Sequence, residues 1–106
     1  MRPYEIYFAK VTWKGCPDER PWVIVEQLPN DLFGCFPISG SCYGESCFPV
    51  DESHPDFAAT GLTKTSYIHD ASVIDLHVSR FNRRKGELTN ELLADFLDFT
   101  GLRPPP

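Results

Sequence analysis

One stretch of this 106-residue chain, residues 89–101, repeats its apolar positions at helical spacing. Everything before it is cut by glycine- and proline-bearing turns into short runs of β-branched and aromatic residues. Runs that short build strands of a sheet and cannot build a helical bundle. The first strand is expected over residues 5–13 (Glu-Ile-Tyr-Phe-Ala-Lys-Val-Thr-Trp), and the turn 14–19 follows with its Gly and Pro. Arg20-Pro21 opens the second strand, where proline is tolerated because a first residue need not donate to the ladder. Trp22-Val23-Ile24-Val25 is nearly continuous apolar sequence, which predicts burial on both faces.

Pro29-Asn30-Asp31 turns the chain into a third strand over residues 32–38, and Ser39-Gly40-Ser41 interrupts it. A short strand over 46–50, a loop over 51–61 and strands over 62–68 and 72–78 are expected next. In the last of these Ile74, Leu76 and Val78 alternate inward against Val73, Asp75 and His77. Residues 80–85 read as a solvated basic loop. The helix is bounded by Thr89 as N-cap, with Glu91 in its first turn, and by Gly101 at its end. Its stripe is Leu92, Leu93, Phe96, Leu97 and Phe99. The expected architecture is mainly β: a small, strongly bent antiparallel barrel with one C-terminal α-helix. One domain spans 1–103, and a proline tail, 104–106, trails as an extended end.

The net charge of −5 argues against a broad, sequence-independent grip on a nucleic-acid backbone, which needs clustered Lys and Arg. The charge is uneven, however. Between Pro21 and Ser79 the only Lys or Arg is Lys64, against eight acidic residues, whereas Arg80, Arg83, Arg84 and Lys85 fall within six positions. A narrow basic groove on an acidic body fits that distribution. No apolar run reaches the roughly 20 residues that cross a bilayer, and Met1-Arg2-Pro3-Tyr4-Glu5 lacks the start of a signal peptide, so a cytoplasmic location is expected. Cys16, Cys35, Cys42 and Cys47 are accordingly expected as reduced, small, partly buried thiols. A zinc set of Cys35, Cys42, Cys47 and His54 lacks the tight CxxC-like pairs of structural zinc sites. No GxGxxG, Walker, HExxH or GxSxG signature is present, and the spacing of His54, His69 and His77 assembles no metal site. Neither metal nor cofactor is expected.

What remains is an ordered pattern. Arg20-Pro21 opens a buried strand, and a later strand ends in Pro37-Ile38-Ser39-Gly40-Ser41. Thr60-Gly61-Leu62-Thr63-Lys64-Thr65-Ser66-Tyr67-Ile68 follows, then Val73-Ile74-Asp75, a basic stretch, Gly86-Glu87-Leu88 and an amphipathic helix. In order and spacing this resembles the PemK/MazF-like toxins of bacterial toxin–antitoxin pairs, from about residue 20 to 102. The resemblance implies an SH3-like barrel, a homodimer, an antitoxin partner and metal-independent cleavage of single-stranded RNA through attack of a 2′-hydroxyl on the adjacent phosphate. That chemistry asks for a cation on the added negative charge, donors to the phosphate oxygens, and a base. The resemblance puts Arg20 in the role of the cation and Ser39 in that of a phosphate donor. It sets Lys64 and Ser66 where the family has an Arg and an Asp.

Lys64 keeps the charge without the planar fork of arginine, and Ser66 is no general base at neutral pH. His54, His69 and Asp70 are left as candidates for the base. Lys14, Ser41, Arg80, Arg83, Arg84 and Lys85 are the expected RNA contacts. The alternative is a non-catalytic SH3-like module that binds RNA or a protein partner. Trp13 and Trp22 are expected in the core.

Overall fold

A computed structural model describes residues 1–104. It contains seven strands: β1 (Glu5–Lys10), β2 (Glu19–Leu28), β3 (Leu32–Ser39), β4 (Phe48–Val50), β5 (Ser66–Ile68), β6 (Ile74–His77) and β7 (Phe81–Glu87). One helix, α1 (Asn90–Thr100), closes the described chain. The strands form one antiparallel sheet in the order β4-β5-β3-β2-β1-β7, with β6 also paired to β3.

The long β2–β3 hairpin organises the rest. Asn30 and Asp31 both take left-handed φ, 64° and 60°, in the turn after Pro29. Two consecutive positive φ values give the turn whose twist matches that of its strands, and Asn and Asp tolerate that conformation. Leu28 faces Leu32, Gln27 faces Phe33 and Glu26 faces Gly34; a bulge between Ile24 and Glu26 then shifts the register, so that Ile24 faces Cys35 and Trp22 faces Pro37. Continued two residues, that register sets Arg20 opposite Ser39. Trp22, Val23 and Ile24 are fully buried, as their unbroken apolar run predicts. The bent sheet buries both faces. One cluster joins Tyr4, Ile6, Val23, Phe36, Ile38, Phe48, Leu92 and Phe96 under the helix; the other joins Ala9, Trp22, Ile24, Phe33, Cys35 and Leu76. Phe96 packs edge-on against Tyr4, Phe36 and Phe48.

The mainly antiparallel β fold with one terminal helix stands as expected, but the sheet is open, because β4 and β7 do not pair. The 3-10 turn Ala58–Thr60 packs instead on β7. A Cβ on Gly86 would collide with the backbone of Ala59 and Thr60, and one on Gly61 would collide with the carbonyl oxygen of Lys85. Backbone contact that close takes the place of a ladder.

Several elements differ from expectation. Strand β1 stops at Lys10, and β5 is three residues long. Ser72 and Val73 precede β6, and Val78 begins a 3-10 turn at 38% exposure, so it does not point inward. The basic stretch is strand β7, paired with β1; its polar alternation hides it as a strand because its apolar support comes from Phe8 and Phe81. The α1 boundaries match, with Gly101 left-handed at φ 74° and its N–H bonded to Leu97 O. Thr89 makes no side-chain cap. Asp56 supplies it from the preceding loop, accepting from the Leu92 N–H at 3.3 Å. Beyond the helix, Tyr4 donates its hydroxyl to Arg103 O at 2.6 Å, and Leu102 packs on the core. The chain to Pro104 therefore lies against the body; the rest of the expected proline tail lies outside the described residues.

Candidate functional site

The open end of the β2–β3 hairpin carries Arg20 at the start of one strand and Ser39 at the end of the other. Both line a groove of about 520 Å³ that Lys64, Ser66 and Lys85 also line, with Asp18 and Glu19 at its edge. The four residues expected to carry chemistry are thus brought together. A larger concavity, about 790 Å³, lies elsewhere, under the C-terminal segment between Val25, Phe36 and Leu102.

Each side chain is placed for a different task. The Arg20 guanidinium lies 5.0 Å from the centre of the Trp13 ring, a cation–π arrangement that holds its plane. Its buried Nε has no hydrogen-bond partner, and among the described residues no carboxylate comes within ion-pair distance of it. A buried, unused donor on a cation suits an anion. Lys64 brings its Nζ over Gly40, where a Cβ would come within 3.3 Å. Ser66 is buried and donates its hydroxyl to Lys64 O at 2.9 Å, so its one proton is spent on the turn that presents Lys64.

Ser39 Oγ lies 2.6 Å from His69 Nε2 and 2.9 Å from Ser41 O. His69 follows β5, its N–H bonded to Pro37 O at 3.0 Å, and from there its ring reaches diagonally to Ser39. The imidazole is 0% exposed and lies 4.7 Å from Trp13, ring centre to ring centre. Burial pushes its pKa below the ordinary imidazole range, and the charges of Lys14 and Arg20 press the same way, against the Ser41 carbonyl and Asp70. His69 is therefore neutral at pH 7, with Nε2 on a hydroxyl that faces the groove. His54, by contrast, sits beside Asp56 in the loop that caps the helix, and Asp70 lines the larger concavity. Trp13 is half-buried and belongs to the site, whereas Trp22 is core.

The expected RNA contacts divide. Lys14 and Ser41 line a second pocket of about 290 Å³ that shares Arg20, Ser39 and Gly40 with the groove; Lys14 is paired with Glu45. On β7 successive side chains alternate faces. Arg83 and Lys85 both lie over the Phe8 ring, at 4.3 and 4.4 Å, and Lys85 reaches the groove. Arg84 faces away and binds the buried Glu5 at 2.7 Å and Glu87 at 3.4 Å. Arg80 donates to Lys10 O at 3.4 Å, outside both pockets.

The cysteines correct the expectation of four thiols. A disulfide joins Cys42 to Cys47, which also removes two of the four ligands of the zinc set. Their separation of five residues closes a tight loop, a pairing that spacing alone does not select. Cys35 is buried against Phe33 O, and burial, with Asp75 nearby, pushes its thiol up to about 12.

No family model matches the chain, and no curated protein does. Among solved structures, the Mycobacterium tuberculosis toxin MazF-mt6 superposes with a TM-score of 0.69 over 92% of this chain and 92% of its own, at 20% sequence identity. The fold is that of a MazF toxin. The MazF-like hairpin is what brings Arg20 and Ser39 into one groove. No helix among the described residues is long and apolar enough to cross a membrane.

Proposed function

We propose that this chain is a toxin-like, metal-independent endoribonuclease that cleaves single-stranded RNA in the groove between Arg20, Ser39 and Lys64. The observation that carries the reading is Arg20: a cation with an unused buried donor, set across a MazF-like hairpin from a hydroxyl that touches a neutral buried imidazole. In the reaction the 2′-oxygen bonds to phosphorus, the bond to the 5′-oxygen breaks, that oxygen takes a proton from solvent, and a cyclic phosphate and a 5′-hydroxyl remain. Charge builds on the phosphoryl oxygens, where Arg20 and Lys64 offset it without a metal. His69 is too buried to meet substrate. It acts through Ser39: the Ser39 hydroxyl takes the 2′-proton as it passes its own to His69 Nε2. Lys85 and Arg83 extend the cationic track along β7 for the RNA backbone. An acidic antitoxin segment lying across this groove would block it by the same charges. A cytoplasmic homodimer completes the reading by analogy of fold.

The second reading is a non-catalytic module that binds RNA or a protein segment. It is favoured by Ser66, whose hydroxyl is committed to Lys64 O where the toxins have an acid, and by the net charge of −5. Cleavage of a long single-stranded RNA in EDTA separates the two. Wild type is expected to give discrete fragments with cyclic phosphate ends. Arg20→Ala should lose about 100-fold or more in rate, the cost of removing one such charge-stabilising donor, with Arg20→Lys between them. Intact RNA with folded wild type across several substrates would leave the binding module.

A further inference from the structure

The disulfide is the feature of this site that the proposed chemistry leaves unused. The loop from Gly40 to Cys47 walls the 290 Å³ pocket with Ser41 and Tyr43, the latter 75% exposed. Every polar hold this loop has on the site lies within or beside the ring that the bond closes. Ser41 O lies 2.9 Å from Ser39 Oγ, Glu45 pairs with Lys14, and Cys47 Sγ lies 3.6 Å from His69 Nδ1. Cys42 is exposed and Cys47 half-buried, so a small thiol reaches the bond. A ring this small constrains the unfolded chain by only about 2 kcal/mol, and the hydrophobic clusters hold the strands without it. The bond's place against His69 is therefore a better guide to its role than its contribution to the fold.

We propose that the Cys42–Cys47 disulfide is a redox switch on the Ser39–His69 pair, with the oxidised form active. This rests on the reading of the groove as the RNA site. The co-reactant is a dithiol. Its thiolate attacks the exposed Cys42 sulfur, the S–S bond breaks, and Cys47 leaves as a thiolate that takes up a proton. The second thiol of the reductant then displaces Cys42, which is released as a thiol, while the reductant becomes a disulfide; two electrons and two protons are transferred.

The consequence at His69 follows from proton bookkeeping. The Ser39 hydroxyl has one proton and two acceptors in reach, Ser41 O and His69 Nε2. A disulfide sulfur brings no proton, so the imidazole carries its own on Nδ1 and the Ser39 proton turns to Nε2. A Cys47 thiol donates to Nδ1, which moves the imidazole proton to Nε2. Nε2 then donates to Ser39, whose own proton turns to Ser41 O, and the hydroxyl loses the imidazole as its base. Reduction also opens the ring that holds Glu45 and flanks Ser41.

The test uses full-length wild type, oxidised and then reduced with dithiothreitol, with free thiols counted by mass after alkylation. RNA cleavage and the His69 ring ¹⁵N shifts are read on each form. Oxidised protein should show two free thiols and reduced protein four, with cleavage falling about 100-fold on reduction, at the low end of what a proton acceptor supplies, and the His69 proton moving from Nδ1 to Nε2. Cys42→Ser should sit at the reduced values with or without reductant. The double variant Cys42→Ala/Cys47→Ala removes both bond and thiol and should keep the proton on Nδ1. A rate and a tautomer unchanged between two and four free thiols would overturn the switch, as would four free thiols under oxidant. If neither form cuts RNA, the ribonuclease reading fails while the His69 tautomer still decides the switch.

Discussion

His69 is neutral because it is buried beside two cations, and that has a cost measurable as a pH dependence. An exposed imidazole takes its proton near pH 6.5; in the folded chain burial first, then Lys14 and Arg20, lower that point. Between the two values the unfolded chain binds more protons than the folded one. Stability is then full above about pH 6.5 and is lost as the pH falls through the folded value. Urea melts at pH 7.5 and 5.5 should show the lower midpoint at 5.5. His69→Asn should remove that part of the difference even if its midpoints are lower at both. Cleavage should hold until the pH reaches the lowered folded value and fall there, as protonated His69 no longer accepts from Ser39.

At the scale of the element, β7 shows how one basic run serves two purposes. Alternation puts Arg83 and Lys85 on the Phe8 face and Arg84 on the other, where Glu5 lies buried. Burial pushes the Glu5 carboxyl up, but the Arg84 hydrogen bond and the Arg2 N–H outweigh it, and the net shift is downward. Arg84→Ala strands that carboxylate and is expected to cost about 1–3 kcal/mol, or about 4–8 °C per kcal/mol in Tm, with little change in RNA binding. Lys85→Ala should do the opposite: stability within about 0.5 kcal/mol of wild type and weaker, less salt-sensitive binding. Thermal melts and fluorescence anisotropy of a labelled single-stranded oligonucleotide read both. Equal effects of the two variants would contradict this division of the strand.

At the scale of the molecule, an open sheet has to be held in its bent shape, and here backbone contact between the Ala58–Thr60 turn and Gly86 does it. Thr60, fully buried, fastens the turn by donating to Phe57 O at 2.6 Å and accepting from the Leu62 N–H at 3.1 Å. Gly86→Ala forces that contact apart. Because backbone on both sides cannot yield as a side chain does, a loss of about 1–3 kcal/mol is expected. Lys64 and Lys85 also stand on the two segments joined there, so RNA binding should weaken along with Tm. A Gly86→Ala variant that melts like wild type would show that the two ends of the sheet are held elsewhere.

The amino-acid sequence by itself determined the class of fold, the hairpin turn at Asn30-Asp31, the doubly buried second strand and the helix bounds at Thr89 and Gly101. Each of these follows from local periodicity and turn chemistry. Its order of short motifs also pointed to the fold that MazF-mt6 shares. Three features were decided only in tertiary structure. The bulge at Val25 shifts the hairpin by one residue; unbulged pairing would continue to Gly40 opposite Arg20, and the shift puts Ser39 there instead. The pairing of β5 with β3 swings His69 under Ser39, although 30 residues separate them in the chain. The close of the 42–47 loop joins two cysteines beside that histidine. Local sequence specifies which conformations are cheap, but a bulge, a cross-strand diagonal and a thiol pairing are set by which distant surfaces must pack together, and that is settled by the whole core at once.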